Sequence, residues 1–201
     1  MVSRTIVIVE GPTDKAFVTK VIDVANINVN HEDIWTTATK KQDSGGWANL
    51  KKRMEMPDFG DAKKNNAKFL IIFDADTHYA DRKARITNDL KSEAVTAPIF
   101  LFPNDNDVGD LEKVLEEIIP TANRKFLNCW ESYSNCIKLK NGKEPSQKSK
   151  IHEYCAAVLG QECWNHGGMT KCYGNEALFD FASPSPALDS LKEFLRQNVA
   201  I

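Results

Sequence analysis

The stretch KFLIIFDAD, residues 68–76, decides the fold of this chain. In it, five apolar residues run into two carboxylates that are two positions apart. A short, continuous apolar run is typical of a strand buried on both faces, as in a parallel sheet covered by helices. Because side chains alternate along a strand, we expect Asp74 and Asp76 to leave its carboxyl end on the same side. That end of an open α/β sheet is where ligands bind.

The two carboxylates repel each other unless their charge is compensated. A hard cation such as Mg²⁺, a shared proton or a nearby arginine can each provide this compensation. The stretch by itself leaves these three alternatives open.

The residues on either side alternate between strand and helix signals. The β-branched run TIVIV predicts a first strand, and a helix start follows it, where Thr13 can act as the cap and Asp14 lies in the first turn. The order β-α-β-α-β-α-β-α predicts an α/β fold with a four-stranded, mainly parallel sheet between helices. The predicted strands are residues 5–9, 33–39, 68–76 and 97–102, and the predicted helices are residues 13–25, 47–56, 79–95 and 111–119.

Beyond Pro120 the apolar residues recur at helical spacing. We therefore predict an α/β core over residues 1–120 and a helical C-terminal extension over residues 121–201. The extension is expected to pack on the core, so that the two form a single compact unit.

The composition is that of an ordinary globular chain: 201 residues, 42% hydrophobic, 27% charged and a net charge of −2. No apolar run approaches the roughly 18 residues of a membrane helix. The five cysteines are odd in number and contain no CxxC, which argues against a disulfide framework or a zinc site. We expect reduced cysteines and a cytoplasmic location.

The charges are unevenly distributed along the chain. Residues 40–91 contain twelve Lys or Arg against eight acids, whereas residues 104–117 contain six acids against Lys113 alone. A basic flank beside an acidic centre suits a metal site that acts on phosphates. For each cluster taken alone, a solvated helix face remains the alternative.

Acidic residues follow three of the predicted strands, and neighbouring parallel strands bring their carboxyl ends to one edge of the sheet. Oxygen ligands select Mg²⁺ or Mn²⁺ over zinc, and such ions can polarise a phosphodiester and activate water. The acids are Glu10 and Asp14 after the first strand, Asp74 and Asp76 after the third, and residues 105–112 after the fourth.

The sequence IVIVEGPTD, followed some sixty residues later by FLIIFDAD, resembles the TOPRIM domain of topoisomerases, bacterial primases, small RNA-maturation nucleases and OLD-family nucleases. The resemblance covers about residues 4–117. It implies a four-stranded parallel sheet between helices, with a strand that ends in Glu-Gly and another that ends in Asp-x-Asp. The segment PNDNDVGDLEKVLE further resembles standalone TOPRIM-like proteins of uncharacterised role.

The resemblance also implies roles for individual residues. Glu10 matches a metal ligand or general acid/base, Asp74 and Asp76 match the metal-binding pair, and Asp14 matches the extra ligand of OLD-type two-metal sites. The remaining candidates are Asp110 and Glu112 as further ligands, with Asp105 and Asp107 as alternatives, and Lys148 and Lys150, ahead of Lys171, as the catalytic lysine of an OLD-type site.

Departures from the family narrow the expectation. His78 stands where topoisomerases carry a glutamate, and the zinc-binding and polymerase regions of primases are absent. No GxxxxGK[ST] motif occurs, so an ATPase that works with this protein would be a separate chain.

These observations favour a TOPRIM-type, Mg²⁺- or Mn²⁺-dependent nuclease acting on DNA or RNA in phage defence, RNA processing or repair. The basic stretch of residues 40–85 would contact the nucleic-acid backbone without reading its sequence. One alternative is a non-catalytic TOPRIM-like module that binds nucleic acid or protein. Another is a haloacid-dehalogenase-like phosphatase with Asp74 as nucleophile, although Thr77 then stands one position early and the motif lies on the third strand.

Overall fold

The computed structural model describes residues 4–38, 46–137, 142–160 and 172–199. Four strands form one sheet in the order β2-β1-β3-β4, and every neighbouring pair is parallel. The predicted α/β fold, with a four-stranded parallel sheet flanked by helices, is thereby confirmed. The strands are β1 (Thr5–Val9), β2 (Ile34–Thr36), β3 (Lys68–Asp74) and β4 (Ile99–Phe102).

The helices agree with the predicted positions, with two differences. Pro57, which was expected to end a helix, instead begins one, because proline is also well suited to the first helical position. Gly11 rather than Thr13 is the N-cap of the first helix, and the Asp14 carboxylate accepts a hydrogen bond from the Gly11 N–H at 2.8 Å. The helices are α1 (Pro12–Ala25), α2 (Leu50–Met54), α3 (Pro57–Lys64), α4 (Tyr79–Ser92), α5 (Leu111–Glu117), α6 (Lys125–Cys136), α7 (Gln147–Leu159) and α8 (Pro186–Asn198).

Each face of the sheet is covered by helices. On one face, alternate residues of β1 and β3 pack with apolar side chains of α2, α3 and α4, among them Leu50, Phe59 and Ile86. On the other face, Phe17 of α1 lies edge-on to Phe102, with ring centroids 5.8 Å apart. Burial on both faces explains why β1 and β3 read as continuous apolar runs.

The chain divides into two compact units. The first contains the described residues up to Leu111 together with those from Pro186 onward, and the second contains residues 112–185. This division differs from the predicted boundary after Pro120. The reason is that α8 packs against α1 and β4, where the rings of Phe194 and Phe100 lie 5.3 Å apart.

Helices α6 and α7 belong to the second unit, which has its own aromatic core. The buried Tyr154 hydroxyl donates to the Leu178 carbonyl at 2.8 Å, and its ring lies 5.9 Å from that of Phe179. Cys172 is disulfide-bonded, which corrects the expectation that all the cysteines are reduced. Sequence spacing does not reveal which sulfur atoms a fold brings together.

Of the described helices, none combines the length and the apolar character that crossing a membrane requires.

Candidate functional site

The pairing of β1 with β3 brings the two acidic motifs together. Glu10 follows β1 directly, and Asp74 is the last residue of β3. One oxygen of the Glu10 carboxylate accepts the Asp74 N–H at 3.1 Å, and the other accepts the Trp47 N–H at 3.2 Å. Glu10 therefore connects the end of β1 with the end of the neighbouring β3, as the parallel order of the strands predicts.

The environment of Glu10 favours its neutral form. Burial raises its pKa to about 7, against the lowering effect of the hydrogen bond from the Asp74 N–H. The negative charge of Asp14 raises the pKa further, and the positive charge of Arg82 lowers it. Glu10 can therefore take up or release a proton near neutral pH.

Asp74 and Asp76 lie in different environments. The strand ends at Asp74, and Asp76 adopts a left-handed backbone with φ of 50°, so side-chain alternation does not extend to it. Asp74 Oδ1 accepts the Leu111 N–H at 3.0 Å, while the Asp76 N–H donates to the Gly109 carbonyl at 2.7 Å. These two bonds tie the loop after β4 to the end of β3, and they place Asp110 at this edge.

Arg82 joins the acids of the two motifs. Its guanidinium donates a hydrogen bond to Asp76 Oδ2, and its Nη1 lies 3.9 Å from Glu10 Oε1. The side chain is only 12% exposed, and its Cζ lies 4.6 Å from the centre of the Trp47 ring. Of the three ways to compensate paired carboxylates, the structure contains the arginine.

Asp14 and Asp105 have structural roles that sequence alone left open. Asp14 caps helix α1 through the Gly11 N–H, which does not exclude it as a ligand. Asp105 accepts from Lys83 Nζ at 2.9 Å with both oxygens and also binds the Tyr79 hydroxyl.

Asp107 belongs to an exposed polar turn. It accepts hydrogen bonds from the side chains of Asn104 and Asn106 at 2.8 and 3.2 Å. Asp105 and Asp107 were the alternatives to Asp110 as a metal ligand. Both are therefore engaged in forming the loop.

The remaining candidates lie in the second unit. Glu112 is in the first turn of α5, and Lys148 and Lys150 are in the first turn of α7. Lys150 is buried and pairs with Glu116 at 2.8 Å, whereas Lys148 is exposed. Lys171 lies outside the described residues. The roles assigned to these residues stay predictions.

The donor set at the sheet edge has the chemistry of a hard-cation site. Its side chains offer oxygen only, the ligand chemistry that Mg²⁺ and Mn²⁺ prefer. Within the described ranges, however, no group of three or more His, Cys, Asp or Glu side chains is arranged to hold a metal ion. The donors thus fit the cation chemically, while the guanidinium of Arg82 supplies the positive charge between Glu10 and Asp76.

The basic stretch retains fewer available cations than its sequence suggests. Arg53 is buried and forms a two-bond pair with Asp58 at 2.6 and 2.9 Å, and Arg82 and Lys83 are likewise paired with carboxylates. Lys40 lies outside the described residues. The exposed residues that remain for a polyanion include Lys51, Lys52 and Arg85.

Sequence reasoning missed Arg82, Trp47 and Thr37. Thr37 is fully buried, and its hydroxyl lies 2.8 Å from the Glu10 carbonyl and 3.0 Å from the Gly46 N–H. The signal for Arg82 was its place in the first turn of the helix after the Asp-x-Asp strand, which returns side chains to the strand end. Nothing in the local sequence marks Trp47 or Thr37.

Fold and site together define an α/β protein with an arginine-bridged acidic cluster at the carboxyl edge of a parallel sheet. The chain belongs to the DUF3226 family, described as a protein of unknown function, whose model matches residues 4–199. Neither the search of curated proteins nor that of solved structures gave a match.

Proposed function

We propose that this protein is a metal-dependent nuclease of the TOPRIM type, which hydrolyses phosphodiester bonds of DNA or RNA. One observation carries the proposal: the Glu10 carboxylate accepts the backbone N–H of Asp74, so the acids of both motifs lie at one edge. Convergence of acids from two strand ends is what a hydrolytic site built on oxygen ligands requires.

Glu10, Asp74 and Asp76 would hold the Mg²⁺ or Mn²⁺, with Asp14 and Asp110 as further candidates. When bound, the ion would polarise the phosphodiester and lower the pKa of a water molecule. A bound cation would favour the charged form of Glu10, whose pKa burial raises to about 7 in the metal-free protein. Exposed cations of the basic stretch, such as Lys51 and Lys52, would contact phosphates without reading bases.

The test is an incubation of the protein with labelled single- and double-stranded DNA and RNA in Mn²⁺, Mg²⁺ or EDTA. We expect metal-dependent cutting that falls by a factor of about 100 or more in Glu10→Gln, Asp74→Asn and Asp76→Asn. Asp61→Asn, the same change at an exposed acid of α3, is the matched control and should cut like the wild type. Cutting that survives all three changes at the site would contradict the assignment.

The alternatives predict different results in the same assay. The pairing of Asp76 with Arg82 favours a non-catalytic module, which would bind nucleic acid in a salt-sensitive manner without turnover. A phosphatase would hydrolyse a simple phosphomonoester, lose this activity in Asp74→Asn and keep it in Glu10→Gln.

A further inference from the structure

The positive charge of Arg82 occupies the position in which the proposed function requires a metal cation. It contacts Asp76 from the second motif and lies 3.9 Å from Glu10 of the first. A guanidinium remains charged at any pH at which the protein is folded. As long as Arg82 stays in this position, its charge therefore offsets the negative charge of these carboxylates.

Two cations cannot share this position at low cost. Like charges about 4 Å apart repel strongly near a partly buried protein surface, where the effective dielectric constant is far below that of water. A divalent ion that bound Glu10 and Asp76 would therefore compete with the guanidinium of Arg82 for the same carboxylates.

The contacts of Arg82 make an exchange feasible. Its Nη1 is buried and has no hydrogen-bond partner among the described residues, so its approach to Glu10 is an unbonded ionic contact. Beside the side chain lies a cavity of about 230 Å³, whose lining includes Trp47 and the oppositely charged side chains of Asp81 and Arg85. The guanidinium of Arg82 can move into this cavity while the backbone of Arg82 stays in helix α4.

We infer that Arg82 is an internal counter-ion: it neutralises Glu10 and Asp76 in the metal-free protein and is displaced from them when a divalent cation binds. The inference rests on the proposed function, because it assumes that the acidic cluster is a cation site. It adds that the site is occupied in turn by a side chain and by a metal ion.

The first test measures Mn²⁺ affinity by isothermal titration calorimetry, without any substrate. Arg82→Gln should bind Mn²⁺ about tenfold more tightly than the wild type, or better, because the competing charge is gone. Lys91→Gln is the matched control, since it removes the same charge from an exposed position of the same helix that does not line the cavity. It should change the affinity less than about threefold, as expected for an exposed charge in salt.

The second test uses the wild type and does not depend on the stability of Arg82→Gln. Displacement of the guanidinium from beside Trp47 should change the tryptophan emission on addition of Mg²⁺, and this change should be absent in Trp47→Phe. Arg82→Lys keeps a charge without the planar donor fork, so its Mn²⁺ affinity should lie between those of the wild type and Arg82→Gln.

The outcomes separate the counter-ion from the nuclease. Equal Mn²⁺ affinities of Arg82→Gln and Lys91→Gln, or a wild-type tryptophan emission that Mg²⁺ leaves unchanged, overturn the counter-ion even if the wild type cuts nucleic acid. Tighter Mn²⁺ binding by Arg82→Gln in a protein that cuts nothing supports the counter-ion and overturns the nuclease. Absence of cation binding in every variant overturns both.

Discussion

Glu10 is a largely buried carboxyl group, 16% exposed, whose ionised form destabilises the fold. Its oxygens accept two backbone N–H groups, yet burial still raises its pKa to about 7. The native state therefore holds the proton more tightly than the unfolded chain does, and ionisation of Glu10 destabilises the fold.

The stability of the metal-free protein should depend on pH through this residue. Below about pH 4.5 both states are protonated, and the contribution of Glu10 is fully present. As the pH rises through about 7, this contribution is lost, at most about 3 kcal/mol. Denaturant unfolding in EDTA should therefore show the wild type weakening relative to Glu10→Gln across this range. A pH-independent difference would contradict the raised pKa.

The positions of the acids could be predicted from sequence, whereas their partner could not. Glu10, Asp74 and Asp76 follow strong strand signals, and parallel pairing brings strand ends together. The place of Arg82 in the first turn of α4 brings it near the strand end, but the sequence does not show that Arg82, rather than the neighbouring Lys83, pairs with Asp76. The left-handed backbone of Asp76 likewise leaves no mark in an Asp-x-Asp pattern.

Helix α8 is the element whose role changes most between sequence and structure. Its apolar spacing predicts a helix, but periodicity does not say against which part of the chain the helix packs. In the structure it covers the sheet beside α1 and β4, and Leu188, Leu191 and Leu195 are fully buried. Helix α8 is thus one of the helices that cover the sheet of the α/β core, rather than part of an extension.

Leu191→Ala should therefore destabilise the protein by about 2–5 kcal/mol, the usual cost of a cavity at a fully buried leucine. Glu193→Ala, at an exposed position of the same helix, is the control and should shift stability by no more than about 0.5 kcal/mol. Denaturant midpoints at constant slope measure both. A Leu191→Ala cost as small as that of the control would show that α8 is peripheral.

Across the whole molecule, fewer positive charges are available to bind a polyanion than the sequence suggests, because several cations of the basic stretch form ion pairs within the protein. Arg53 illustrates this: it stacks 4.4 Å from the centre of the Trp35 ring and pairs with Asp58. Lys51 and Lys52, beside it in the same helix, are exposed.

If the protein binds nucleic acid as proposed, the double change Lys51→Gln/Lys52→Gln should weaken binding and lower its salt dependence. Each lost phosphate contact reduces the slope of log K against log salt by about 0.9 on duplex DNA, so a loss of up to about 2 is expected. Fluorescence anisotropy with labelled DNA at several salt concentrations measures it. Lys125→Gln/Arg196→Gln removes the same charge outside the stretch and should leave the slope unchanged; equal effects would contradict the assignment.

The order of the elements along the chain has a consequence for folding during synthesis on the ribosome. All four strands leave the exit tunnel before α8, which is separated from β4 by the entire second unit. At ordinary elongation rates this interval is on the order of ten seconds. During that time the sheet face around Phe100 has no helix α8 to cover it. A nascent-chain chaperone could bind this uncovered apolar face during the interval.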